Sequence, residues 1–428
     1  MTIFSHLRRL RSRLWALLAA TAALVTTACD DDFDPPYQVT SDGGFSIIGA
    51  LPAGIQTKYA PGERVFLRVG YNAADRVREF SVFQVIGSQD SAVVLTIPPT
   101  NPVFEPAAGL TVQSLPYTVP ANLANQTAVR VDVTTTFENG ATRRQRFTYN
   151  VAARPTLRFG TATSPTAVVT YRNNLAATAQ AEGDILGYNL MLNEGGIGAL
   201  TPTTLPTATL FKTVDSLTTF YRIGAGPRVR ASSIRNPSNG ASNARTVDAT
   251  IPKGAQGQVL TFIFKAYAGT DSVVVTTPVL NVVAPAALSR VRTGRVVTGP
   301  SAPQDSVAFD LRLGTNVAAL AAATTKDLFA SGVSGSSVSL SSANTTIYYR
   351  IPAALAATGY YMSATANSVG TLVYQNVAAA NNNPGVVAPG DVLAVRVRGA
   401  EPMLLRVVGV KPSSAGSTAR VVFEYRAL

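Results

Sequence analysis

The chain has 428 residues, 46% of them hydrophobic and only 14% charged, with 36 Lys and Arg against 24 Asp and Glu for a net charge of +12. A charged fraction well below the roughly 25% of an average globular protein excludes charge-driven disorder, and the length suits roughly two to four domains. The only His, Trp and Cys are His6, Trp15 and Cys29, so the domains beyond them must fold and function without these residue types.

The N-terminus reads as a targeting segment. Arg8, Arg9, Arg11 and Arg13 precede the apolar stretch Leu14–Val25, a basic region followed by a hydrophobic one too short to span a bilayer. Thr26-Thr27-Ala28-Cys29 closes it. A Cys after a small residue in this position resembles a bacterial lipobox, although Thr26 stands where the usual pattern has Leu. Plain cleavage after Ala28 is the alternative. The expectation is a signal peptide over residues 1–28 and lipidation of Cys29, which would attach the chain to a membrane through its N-terminal lipid. Residues 29–44 then form an acidic, Pro-containing tether that begins Cys29-Asp30-Asp31-Asp32. An acidic run behind a lipidated Cys resembles the surface-export signal of Bacteroidota-type lipoproteins. That resemblance implies an outer-membrane location facing the cell exterior. In other bacterial groups an Asp there implies inner-membrane retention, and a solvated tether would have the same composition.

Beyond the tether, short segments alternate with a period of two between Gly, Pro and Asn punctuation. Examples are Arg64–Tyr71 and Val259–Tyr267. This pattern predicts an all-β protein of sandwich type. Val129–Val133 and Arg146–Val151 flank Asn139-Gly140, a strong hairpin signal because both residues tolerate positive φ. An internal echo relates Thr118-Val119-Pro120 with its following hairpin to Thr250-Ile251-Pro252 with the hairpin around Gly269. Each is read as the last part of an immunoglobulin-like β-sandwich, the Pro in the crossover and the hairpin supplying the final strands. Two such sandwiches are expected, at 45–153 and 154–286, each near the roughly 100 residues of the fold. Residues 287–428 form a C-terminal, mostly-β domain. Ala-rich residues 317–330 are the best candidate for one short helix. Gly390-Asp391-Val392 before an Arg-bearing strand, with the closing Phe423-Glu424-Tyr425, resembles the C-terminal domain of Bacteroidota surface lipoproteins.

Lack of His and Cys in these domains excludes Ser-His and Cys-His nucleophile pairs and soft-metal centres. No Ser lies three residues before a Lys, and Gly195-Gly196-Ile197-Gly198 fits neither the phosphate-loop nor the dinucleotide spacing. Only a carboxylate pair could support hydrolysis. Glu63, Glu138 and Glu424 read as solvated groups at turns or in strands. The expectation is therefore no enzyme activity, no cofactor and no metal.

Arg outnumbers Lys 30 to 6. Arg222, Arg228, Arg230, Arg235 and Arg245 fall in a Gly-, Ser- and Asn-rich segment with no acid between Asp215 and Asp248. They are candidate anion-binding residues for acidic polysaccharide, on what reads as a long exposed loop. Nucleic acid is not an expected partner, since aromatics are not interleaved with the arginines. Asp-Ser-apolar triplets resemble the O-glycosylation acceptor of Bacteroidota exported proteins. They make Ser91, Ser216, Ser272 and Ser306 candidate acceptors, while Asp-Ser is equally good turn chemistry. Tyr348-Tyr349 and Tyr360-Tyr361 could stack on sugars, but neighbours on a strand face opposite sides, which puts one of each pair in the core. The functional expectation is a lipid-anchored surface protein acting as a non-catalytic binding, adhesion or scaffold module. Its partner would be acidic polysaccharide or another surface protein. The alternative is a glycan-binding accessory lipoprotein of a polysaccharide uptake system.

Overall fold

A computed structural model describes residues 44–51, 54–298, 303–334, 337–412 and 418–428. The signal peptide, Cys29 and all of the tether but its last residue lie outside them. The chain forms two compact units. Of the described residues, one holds 44–50 with Phe66–Pro116 and Arg130–Phe147; the other holds those of Leu51–Val65, Tyr117–Val129 and Thr148–Leu428.

The first strands are β1 (Ser46–Leu51), β2 (Lys58–Tyr59), β3 (Arg64–Tyr71), β4 (Val77–Ile86), β5 (Ala92–Ile97), β6 (Val103–Glu105), β7 (Leu110–Thr118), β8 (Ala128–Phe137) and β9 (Thr142–Val151). They pair in the orders β1-β3-β7-β6 and β2-β9-β8-β4-β5, with β2 parallel to β9. This is the strand order of an immunoglobulin-like sandwich, with A, B, E and D in one sheet and G, F and C in the other. Alternation drives it: Val65, Leu67 and Val69 of β3 are buried while Arg64 and Phe66 face outward. The β8–β9 hairpin turns at Asn139-Gly140, where Gly140 takes φ +83°.

The next strands are β10 (Leu157–Phe159), β11 (Val169–Tyr171), β12 (Ile185–Leu192), β13 (Gly196–Ile197), β14 (Thr209–Leu210), β15 (Val214–Ile223), β16 (Val229–Ser238), β17 (Asn243–Thr250), β18 (Val259–Ala268), β19 (Asp271–Thr276) and β20 (Leu280–Asn281). One sheet centres on β12, paired with β10, β11 and β17, and the other runs β16-β15-β18-β19, with β20 beside β18. Much of the order recurs: β10, β12 and β17 correspond to β1, β3 and β7, and β16-β15-β18-β19 to β5-β4-β8-β9, with no counterpart of β6 among the described residues. Tyr188, Phe262 and Phe264 pack at its centre with ring centroids 5.3 to 5.6 Å apart, among Leu186, Leu190 and Val247.

The last part comprises β21 (Arg290–Thr298), β22 (Ala308–Asp310), β23 (Thr315–Val317), β24 (Leu328–Ser334), β25 (Ser337–Ser341), β26 (Ile347–Arg350), α1 (Ala353–Ala356), α2 (Tyr360–Ser363), α3 (Ala366–Gln375), β27 (Gly385–Val387), β28 (Val392–Val397), β29 (Glu401–Pro412) and β30 (Ala419–Ala427). The sheet β21-β30-β29-β28-β26 packs on the sheet β23-β22-β24-β25-β27 through Phe309, Leu340, Val395 and Phe423. Its other face carries the helices, through Val369, Val373, Ala394 and Leu404. Hence β28 is buried on both faces. The expected helix at 317–330 is not there: those residues form the end of β23, a 3₁₀ turn at Ala323–Thr325 and the start of β24. Leu328 enters the sheet core, and no side chain caps the turn. Helix α3 begins instead where Thr365 and Ser368 form a reciprocal capping box. Tyr348 is buried as expected of one member of its pair. Tyr361 is buried too, but on helix α2 rather than on a strand.

Within the larger unit, α3 is fastened to the second sandwich by polar contacts. Asn367 donates to Asp184 Oδ2 at 2.6 Å and accepts from Ala286 N at 2.8 Å. Asp184 is buried, and desolvation raises its pKa despite hydrogen bonds from Ala181 N, Asn367 and Thr371.

Candidate cation-rich sheet face

Four of the five arginines singled out in the sequence gather on one surface, and the surface is a sheet rather than a loop. Register shows it. Leu217 pairs with Ile234 and Ala266, all directed to the core. The alternate positions therefore lie on the opposite, outer face, where Thr218 and Ile263 are covered by their neighbours. There Ser216 lies between Arg235 and Tyr267, Thr218 between Ser233 and Lys265, and Phe220 between Arg230 and Ile263, while Arg222 pairs with Thr261. A register shift between Thr219 and Phe220 keeps Arg230 on this face. Arg228, just ahead of β16, lays its guanidinium over the Phe220 ring at 4.4 Å, and Lys265 lays its ammonium over the Tyr267 ring at 4.5 Å. Thr218 and Ser233 hydroxyls are 3.0 Å apart.

These groups border an open basin of about 730 Å³ lined by Asp215, Ser216, Thr218, Phe220, Arg230, Ser233, Arg235, Asn236 and Tyr267. Asp215 brings one carboxylate to a stretch that is acid-free in sequence, and it accepts from Gly269 N at 2.6 Å. Among the described residues Arg222, Arg228, Arg230, Arg235 and Lys265 have no carboxylate within ion-pair distance. Elsewhere the pattern is mixed: Arg146 pairs with Asp132 and Arg154 with Asp271, whereas Arg64, Arg290 and Arg295 also have no carboxylate within that distance among the described residues. Unpaired guanidinium forks beside hydroxyls can take carboxylate, sulfate or phosphate oxygens. The two ring faces already carry cations, so they are not free for stacking on a neutral sugar.

Arg245 does not join the group. It lies on β17, in the other sheet, opposite the buried Leu190. Its guanidinium is half-buried and donates to Asn243 Oδ1 and Pro237 O. The β-registry that separates it from the others is not visible in the spacing of the arginines. Lys265 was missed by the sequence reading because it lies 20 or more residues beyond them in the chain.

The four candidate acceptor serines differ in access. Ser91 and Ser272 are exposed, Ser216 is half-buried in the basin, and Ser306 is half-buried with its hydroxyl on Asp305 Oδ1 at 3.2 Å. The reading of Glu63 as solvated is overturned. It is buried, and Lys212 donates to it at 2.7 Å. Glu138 is exposed, with Arg76 at 3.7 Å, and Glu424 is ion-paired with Arg406. Among the described residues no three His, Cys, Asp or Glu converge as a metal site, and no helix is long and apolar enough to cross a membrane.

The strand order defines an all-β protein with tandem immunoglobulin-like sandwiches. No family model and no curated protein matches the chain. Among solved structures, it is similar to a two fibronectin type-III domain segment from chicken tenascin, at 9% identity, covering 52% of this chain and 94% of that one with a TM-score of 0.18.

Proposed function

We propose that the protein is a lipid-anchored, outer-membrane surface protein whose sandwiches act as a non-catalytic binding module, and that the β15–β16–β18 face engages acidic polysaccharide. The observation that supports the ligand is the gathering of five cations without carboxylate partners on one hydroxyl-bearing sheet face. The covered aromatic rings disfavour a neutral-glycan platform of the kind an uptake accessory would use. The anchor rests on the sequence around Cys29.

Binding of an acidic polysaccharide to the purified protein should weaken as salt rises, since the Debye length falls from about 10 Å at 0.1 M to about 3 Å at 1 M. Changing Arg228, Arg230 and Arg235 together to Ser removes three exposed charged contacts of about 0.5 kcal/mol each. That is about tenfold in Kd, with little change in melting temperature because the side chains are exposed. A neutral polysaccharide should not bind either form. Equal binding by the triple variant would overturn the assignment. For the anchor, Cys29→Ala should move the protein out of the membrane fraction or leave it unprocessed. Retention in that fraction at the processed size would rule lipidation out.

A further inference from the structure

Lys212 is almost wholly buried, and its ammonium lies between two carboxylates, 2.7 Å from Glu63 Oε1 and 2.8 Å from Asp271 Oδ2. Glu63 is held in place from both sides. Thr270 Oγ1 donates to its Oε1 at 2.8 Å and Ala60 N donates to its Oε2 at 2.8 Å. On the far oxygen of Asp271, Oδ1 accepts from Arg154 Nε at 2.9 Å. So one Asp oxygen faces an amine, the other a guanidinium, and a second carboxylate touches the same amine.

We propose that Lys212 and Asp271 condense to an intramolecular amide, with Glu63 as the catalytic proton carrier. Glu63 takes a proton from the ammonium, and the freed amine attacks Asp271 Cγ. Negative charge develops on Oδ1, where Arg154 already points a donor, the arrangement that stabilises a tetrahedral intermediate. Two of the three ammonium protons end on Oδ2, relayed by Glu63, and the oxygen leaves as water. An N–C bond has replaced a C–O bond, the Lys and Asp charges have cancelled, and Glu63 finishes as it began. Two features favour the step. Fixed contact at hydrogen-bond distance makes it effectively unimolecular. Merging the buried Lys212 charge with the partly exposed Asp271 charge into a neutral amide also removes a desolvation cost, carried mainly by Lys212. The product would tie the entry of β15 to the start of β19 covalently in a chain whose sandwiches contain no Cys.

The test is peptide mapping of the full-length protein after denaturation and trypsin digestion. The expected result is a branched peptide joining the Lys212 and Asp271 segments, with a mass about 18 Da below their sum and no cleavage after Lys212. Glu63→Gln keeps the side chain's size and should give two separate peptides from a protein with unchanged circular dichroism. Separate peptides from the parent protein, cut after Lys212, would show an ordinary ion pair and overturn the proposal. A branched peptide in both proteins would overturn the role of Glu63.

Discussion

Arg398→Leu is expected to lower stability by about 3–5 kcal/mol, the cost of leaving buried charges without their partner. Arg398 donates from Nε to Asp327 Oδ1 at 2.9 Å, and from its terminal nitrogen to Asp327 Oδ2 at 2.8 Å and Asp310 Oδ2 at 2.7 Å. Asp310 and Asp327 are 1% and 0% exposed, so water cannot replace the guanidinium. Each keeps other donors: Arg312 N and Leu313 N reach Asp310, and Leu311 N, Thr346 and Asn344 reach Asp327. These cannot cancel two adjacent negative charges. Arg398 also holds φ +49°, a left-handed conformation uncommon for a residue with a Cβ, which the three charged contacts help to keep. Denaturant unfolding followed by hydrogen exchange at β22 and β24 would measure the loss. A change under 1 kcal/mol would mean that the carboxylates reach solvent.

Gly370→Ala should destabilise the larger unit by about 1–3 kcal/mol, the usual range for overpacking, although in an open helix the same change gains about 1 kcal/mol. The reversal of sign is the diagnostic. A Cβ on Gly370 would stand 2.5 Å from Asn173 O and 2.9 Å from Asn173 Cβ. Asn173 cannot retreat, because it is fully buried and exchanges hydrogen bonds with Gln180. Helix α3 would have to lift from the second sandwich, stretching the Asn367–Asp184 contact. Thermal unfolding, with limited proteolysis between Val283 and Ala366, would report it. A stabilised variant would show that the helix already has room.

Legibility in the sequence followed the alternation of side chains. Arg64–Tyr71 and Val259–Tyr267 became β3 and β18 because each places one apolar face on a sandwich core, and the Asn139-Gly140 and Gly269 turns produced the hairpins they predict. Strand β16 escaped notice for the same reason in reverse. It is the end strand of its sheet, and Ile234 is its main contribution to the core, so Val229–Ser238 carries almost no apolar rhythm and reads as a loop. Ala-rich residues 317–330 suggested a helix on propensity alone, while Ala366–Gln375, with Gly370 and β-branched residues, did not. There the Thr365–Ser368 capping box was the available signal. The burial of Glu63 could not be foreseen, because its partner Lys212 is 149 residues away. The gathering of arginines was legible, but the exclusion of Arg245 required the pairing of β17 with β12.

The position of β16 has a second consequence. An end strand presents a row of unpaired backbone donors and acceptors to any passing chain, a template for aggregation. Arg230 and Arg235 stand along this strand and Arg228 at its entry, so a second molecule approaching edge to edge would bring like charges into register. Crowded together at high density, copies of this protein would repel one another at the place where strand-to-strand zippering would otherwise begin, and the charges would protect solubility even with no polysaccharide bound.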